Sequence, residues 1–393
     1  MVTIIKSYKI RLLPTKEQEQ KLWQHVHAQR FIYNWALSLN MSRFENDEKK
    51  LSGYDLGKLV TQLKKTDDYK WLNEVSSKTL KQSVIDLDNA YGRFFTKQKK
   101  GPKFSENCKV KTVYNMLGHP KFKKRHKCKD SFYSNYEGFY LQPDVAVMDV
   151  IGKVKYKTDF ELPTVNKKQE MTQKFTNPRI SYVNNKWIAS FGYETEVEKP
   201  VLTDKVLGID LGVKTLAVVS DGSKYKNINK TRAMNKLDKR MRQTGRKLSR
   251  QIKSSTSYVR TKHKLKAIHT KITNKRLDHI HKMTADMVSK LPRAIVIEDL
   301  NVSGMMTNRH LSRAISQCNF YEIRRQLEYK CKIKGIELIL ADRFYPSSKK
   351  CSSCGLIKKD LKLKDRKYEC HCGLKLDRDM NAAKNLEKLA FVI

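Results

Sequence analysis

Asp210 closes the apolar run Val206-Leu207-Gly208-Ile209, and Glu298 closes a second, Ala294-Ile295-Val296-Ile297. Short apolar runs bounded by turn residues read as buried strands. A carboxylate at the end of such a strand is costly unless a cation compensates it. The neighbours Leu211 and Gly212 supply none, so Asp210 reads either as a metal ligand or as a turn-capping Asp. Asp379 opens a further segment, whose apolar face is Ala383, Leu386, Leu389 and Ala390; an N-cap role alone would account for it there. If the three acids meet in one α/β domain, their hard oxygen ligands suit Mg²⁺. Two ions roughly 4 Å apart would then support in-line hydrolysis of a phosphodiester.

Four cysteines form a second constellation. Cys351-Ser-Ser-Cys354 is followed by Cys370-His371-Cys372. A Cys-x-x-Cys knuckle with a second nearby pair is a zinc signature, and four thiolates make a closed, structural site. The second pair is the tighter Cys-x-Cys, and His371 is an alternative to one thiolate. Cys108, Cys128, Cys318 and Cys331 lack such spacing and read as ordinary thiols.

The elements that must hold these groups follow from pattern. Residues 3–13 read as a strand, and Thr15 can cap the helix that follows. Helical periodicity runs to about residue 98, with Trp23, Val26, Phe31 and Trp35 as core. At 97–103, Lys-Gln-Lys-Lys-Gly-Pro-Lys, the character changes to short strands, and the clearest is a hairpin, Ile180–Val183 and Lys186–Tyr193, around Asn184-Asn185. Several short strands suggest a small barrel or sandwich, which the N-terminal strand could join. Residues 224–290 carry roughly twenty Lys or Arg against three acids and read as a basic helical hairpin with a narrow apolar seam. Beyond Pro292 come a strand to Glu298, a helix over about 311–333 and a strand to Asp342: an α/β core, with acids at strand carboxyl ends.

The 393 residues carry a formal net charge of +41, which calls for a polyanionic partner, first of all nucleic acid. The cationic run Lys121–Lys127 accordingly reads as a phosphate contact. No apolar run has the length of a membrane span, and the N-terminus lacks a signal-peptide core. The cysteine usage fits a reducing cytoplasm.

GIDLG-x-K, VIEDLN-x-x-G-M-M, FYPSSK-x-CSSCG and DRD-x-NAA-x-N occur here in that order. Together with YKIRLLPT and GHPKFKKRHKCKDSF they resemble TnpB, the RNA-guided nuclease family of bacterial insertion sequences related to type V CRISPR effectors. The resemblance implies a multidomain α+β chain. Its parts would be an RNase H-like (RuvC) nuclease core at 201–342 and 376–393, a zinc ribbon at 343–375, a wedge β-barrel at 1–14 and 99–200, and a helical recognition domain at 15–98. It implies Asp210, Glu298 and Asp379 as the Mg²⁺-binding catalytic triad, with Asp377 competing for the third place and Asp299 competing less well with Glu298. It implies Cys351, Cys354, Cys370 and Cys372 as zinc ligands. The partners would be a guide RNA derived from the transposon end and double-stranded target DNA beside a short motif, the protein a monomer with its RNA in the bacterial cytoplasm, and both strands cut at one site. The alternatives are a guided DNA-binding repressor that no longer cuts, and a transposase acting without RNA.

Overall fold

The computed structural model describes residues 2–99, 118–125, 127–135, 137–159, 162, 175–361 and 365–391. The expected junction at 100–103, Cys108 and His126 lie outside the described residues. The chain divides into two compact units, Thr3–Glu196 and Val197–Ile393 (with Met1–Val2).

The first unit joins a helical block to a seven-stranded sheet. Strand β1 (Val2–Leu13) leads to helix α1 (Lys16–Glu45). Thr15 caps that helix: its hydroxyl accepts from the Gln18 N–H at 3.3 Å, and the Gln18 side chain accepts the Thr15 N–H at 3.0 Å. Helices α2 (Gly53–Leu63) and α3 (Ser77–Lys99) follow, and Leu37, Leu56, Leu80, Val84 and Leu87 form their shared core. Among the described residues the sheet runs β2-β6-β7-β1-β5-β4-β3, with β2 Ser131–Tyr133, β3 Tyr140–Gln142, β4 Val145–Met148, β5 Gly152–Lys157, β6 Phe175–Val183 and β7 Lys186–Val197. The N-terminal strand therefore lies inside the sheet, with the helices inserted between it and the later strands. Asn184 and Asn185, at φ 52° and 60°, make the tight turn between β6 and β7, a left-handed pair that Asn tolerates. Trp23 packs on Tyr182 and Trp187, as core and not as a ligand site.

Lys123 departs from the expected phosphate role. Its backbone is held on both sides by Asn34, at 2.8 and 3.0 Å, and its ammonium lies 3.8 Å from the Tyr33 ring centroid. Burial pushes its pKa below the ordinary lysine value. This lysine ties the run to the helical block.

The second unit is built on a mixed sheet of order β10-β9-β8-β11-β12. Strands β8 (Thr203–Leu211), β11 (Pro292–Glu298) and β12 (Glu337–Ala341) are parallel; β9 (Thr215–Val219) and β10 (Lys224–Lys226) run antiparallel to their neighbours. Lys224–Lys226 is thus a strand, and the basic hairpin begins later, as α4 (Arg232–Ser249) and α5 (Thr256–Ser289). Met234, Leu237, Ile268 and Ile272 form its narrow seam. The helix expected over 311–333 is two: after the short α6 (Val302–Met305), α7 (Arg309–Cys318) and α8 (Phe320–Lys334) break at Asn319, which sits at φ 53°. Helix α9 (Arg378–Leu389) follows a two-stranded hairpin, β13 (Lys367–Glu369) with β14 (Lys375–Asp377).

Helix α9 lies directly on β8 at Gly208. A Cβ at that position would meet the Ala383 carbonyl oxygen at 2.0 Å and the Glu387 nitrogen at 2.4 Å. Those are backbone atoms and cannot rotate away, so only glycine fits. Leu386, fully buried, continues the contact onto Val206, Ala294 and Val296. Gly208→Ala should therefore destabilise the protein by roughly 3 kcal/mol, through forced separation of helix and strand. Denaturant unfolding reads this as a lowered midpoint, and an unchanged midpoint would contradict the close approach.

Candidate active site

The sheet register sets two acids side by side. Ile209 on β8 is paired with Ile297 on β11, so Asp210 and Glu298, one residue on, are neighbours at the carboxyl ends of adjacent parallel strands. Asp210 lies within β8, paired to Val218, and so the turn-capping reading falls away. Asp379 is the second residue of α9, the helix pressed onto β8.

The three carboxyls share one field. Burial pushes the Asp210 carboxyl well above the usual carboxylate range, and the charges of Glu298 and Asp379 push it further; Arg378 opposes them. Burial also raises Glu298, against a hydrogen bond from the Ser347 hydroxyl. Arg378 and Arg366 stand 3.5 and 3.9 Å from Asp379. Two half-buried acids on one sheet edge and a third on the covering helix make a concentration of negative charge that divalent cations fit.

The competing acids have other partners. Asp377 is the N-cap of α9, accepting from the Asp379 and Met380 N–H groups at 3.0 and 3.3 Å, so the cap role considered for Asp379 belongs two residues earlier. Asp299 is held by Arg324 at 2.8 Å and Arg343 at 2.6 Å, and the Arg343 hydrogen bond keeps its carboxyl below the usual range.

The cysteines converge as their spacing indicated. Cys351, Cys354, Cys370 and Cys372 place their sulfurs within 4.8 Å of one another. The pairs Cys351–Cys372 and Cys354–Cys370 are both 3.6 Å apart. Tetrahedral zinc with Zn–S near 2.3 Å implies edges of about 3.8 Å, so the donor set fits. His371 is exposed and outside the group. Among the described residues no other group of three or more such ligands is drawn together in this way. Cys318 and Cys331 are buried and Cys128 is half-buried, as ordinary thiols.

Residues that sequence reasoning left without a role tie the two clusters together. Asn381 and Asn385, 0 and 1 % exposed, stand four residues apart on α9. Asn381 donates to the Lys350 carbonyl at 2.7 Å and accepts from the Ser352 N–H at 2.9 Å. Asn385 donates to the carbonyls of Lys350 at 2.6 Å and Ser347 at 2.7 Å. The signal was present in DRD-x-NAA-x-N: two amides at helical spacing beside small residues mark a face that meets backbone.

Fold and site together define an α/β unit with a carboxylate cluster at its sheet edge and a four-thiol cluster anchored to the same helix. Residues 190–309 match a family model described as "Probable transposase", residues 320–386 one described as "Cas12f1-like, TNB domain", and residues 1–49 one described as "Helix-turn-helix domain". That last stretch is here a strand and one 30-residue helix. A "Putative RNA-guided DNA endonuclease" of Streptomyces pristinaespiralis is 30% identical over 98% of this chain and 89% of its own. A "Putative RNA-guided DNA endonuclease InsQ" of Escherichia coli (strain K12) is 29% identical over 97% and 91%. In fold, the chain resembles the protein of a Cas12f1–sgRNA–target DNA complex, at TM-score 0.52 and 15% identity over 98% of this chain and 99% of that one. The chain belongs to the TnpB family.

The raised carboxyls have a measurable consequence. Between the ordinary carboxylate pKa and the raised one the native state holds more protons than the unfolded state, so metal-free stability falls as pH rises through that window. At neutral pH the site is a cost that Asp210→Asn should relieve. In EDTA at pH 7 the variant should melt above the wild type, by about 2–4 °C for each kcal/mol relieved. Mg²⁺ should raise the wild-type melting temperature and leave the variant's nearly unmoved. Equal melting and an equal Mg²⁺ response would remove Asp210 from a metal site.

Proposed function

We propose that this chain is an RNA-guided DNA endonuclease in which Asp210, Glu298 and Asp379 bind two Mg²⁺ ions at a single site and both DNA strands are hydrolysed there. The observation that carries the reading is the side-by-side placement of Asp210 and Glu298 at the carboxyl ends of β8 and β11, with Asp379 on the helix above them. The names of the full-length relatives and the charge of +41 support it.

In this reading the second unit is the RuvC-type nuclease core, with residues 343–375 as its zinc ribbon. The four thiolates would hold zinc structurally. The first unit supplies the wedge barrel and the helical recognition lobe. When bound, the divalent ions would lower the pKa of the attacking water and offset charge on the transferring phosphoryl group. Asp210 and Glu298 present their carboxylates from a rigid sheet edge, so their spacing is set before substrate arrives. Asp379 closes the set from the helix, and Arg378 moderates the repulsion among the acids. The basic faces of α4 and α5 hold nucleic acid by its phosphates. A guide RNA from the transposon end reads target sequence by base pairing, and the protein reads duplex shape and a short adjacent motif.

A guided repressor would not need the three acids, all of which are in place. A transposase working without RNA, the reading that the family description over 190–309 favours, differs in one observable. Protein purified from its native cells should carry a discrete RNA, and Mg²⁺-dependent cleavage should require it. Cleavage at full rate by RNA-free protein would overturn the guided reading. Asp210→Ala should keep RNA and target binding while cleavage falls by at least about a thousandfold, the equivalent of several kcal/mol of lost charge stabilisation. Near-wild-type cutting would reject the assigned triad. Metal analysis should find one zinc per chain, bound by the cysteine quartet; folded protein without zinc would reject the ribbon.

A further inference from the structure

We propose that Ser347 is a positioning residue for Glu298, and that Asn385 of α9 sets where Ser347 stands. The inference rests on the endonuclease reading above and adds residues that the reading does not use.

Ser347 is buried, and its hydroxyl donates to Oε1 of Glu298. A carboxylate at a desolvated sheet edge has few donors within reach, and one buried hydroxyl fixes the rotation of the whole group. With Oε1 occupied, the carboxylate turns its second oxygen toward a cation. An unheld glutamate, with three side-chain torsions, would sample many orientations and lose that selection.

The hydroxyl is itself held. The Ser347 carbonyl accepts from the Asn385 side chain at 2.7 Å, and its N–H donates to the Tyr345 carbonyl at 2.8 Å. The Tyr345 hydroxyl donates to the Asn385 carbonyl at 3.3 Å. Asn385 also holds the Lys350 carbonyl at 2.6 Å, immediately before the first cysteine of the quartet. The turn from Tyr345 to Lys350 is thus fixed to α9 at several points. The same helix carries Asp379 and rests on Gly208, two residues before Asp210. A chain of buried hydrogen bonds therefore references Glu298 to the helix that already references the other two acids.

The test compares Ser347→Ala, Ser347→Thr and Asn385→Ala in the full chain with its RNA. Mn²⁺ binding at the acid site, read by electron paramagnetic resonance without DNA, is the primary measurement, with Asp210→Ala as the blank. The Mg²⁺ concentration that half-saturates cleavage is the second. Ser347→Ala should weaken Mn²⁺ binding and raise the half-saturating Mg²⁺ by about 10- to 100-fold, the range for a group that orients a metal ligand. Ser347→Thr, which keeps the hydroxyl, should restore most of both. Asn385→Ala should shift both the same way, and the double variant should be no worse than the stronger single one, as for two links of one chain. Zinc content should be unchanged in both Ser347 variants. Wild-type Mn²⁺ affinity in Ser347→Ala, or failure of Ser347→Thr to rescue, would overturn the proposal. If Asn385→Ala does not fold, the Ser347 pair decides alone. Because Mn²⁺ binding is read without DNA, a protein that binds the ion but never cuts would refute the endonuclease reading and leave this one standing.

Discussion

The absence of a side chain at Gly208 is the constraint on which the second unit depends. With no Cβ there, the backbone of α9 comes down onto β8 until the Ala383 carbonyl nearly touches the strand. A helix resting on ordinary side chains would stand about 10 Å off a sheet. At that separation Asp379 would not enter the field of Asp210, and the buried amides of α9 would not reach the turn before the cysteines. The small residues Ala382 and Ala383, both buried, are the helix's side of the same bargain with space. Packing of this kind is dense and barely compressible, so the acid geometry is set in the core and not at the surface.

That rigidity holds together groups that repel. Three acids near one another at a desolvated edge would relax apart if the backbone allowed it; held in place, Asp210 and Glu298 have raised carboxyl pKa values instead. The neighbouring cations answer only in part. Arg378 and Arg366 stand beside Asp379, while Arg324 and Arg343 are engaged by Asp299. The result is negative charge in excess, kept there by hydrophobic packing of Leu207, Ile209, Ile295 and Ile297 beneath it. Divalent cations have the charge density that such a site fits, and a bound cation would offset the cost of the empty arrangement.

What was legible in the chain follows physical lines. The acids at the ends of β8 and β11 were readable because a buried strand is a contiguous apolar run and an acid ending one stands out, though only the pairing of Asp210 with Val218 removed its turn-capping alternative. The quartet was readable because thiolate spacing is a local property. Asn184-Asn185 was readable because two left-handed residues require that composition. Less legible was anything that depends on contact between distant segments. Asp377 and Asp379 both suit a helix start, and only the three-dimensional placement shows that Asp377 is the cap. Lys123 looked like one more cation in a basic run, and its stacking on Tyr33 needs a partner ninety residues upstream. The break at Asn319 was hidden because helical periodicity runs on across it.

Helix α9 shows why the last motif has the form it does. Asp379, Ala383 and Leu386 lie along one face, toward β8, and Asn381 and Asn385 along the next, toward the turn before the cysteines. Each face has a separate demand. The first must be small at 383 so that Asp379 sits low; the second must supply side-chain amides, because the carbonyls of Ser347 and Lys350 have been taken out of water and need donors. An apolar residue at 385 would leave the Ser347 carbonyl without this donor, and one at 381 would leave the Ser352 N–H without this acceptor; a charged one would add a desolvation penalty of its own. Asparagine is the short side chain with two donors and an acceptor, and at 381 both kinds of group are used. The motif is therefore a joint specification of one acid, one close approach and one clamp on a single three-turn helix.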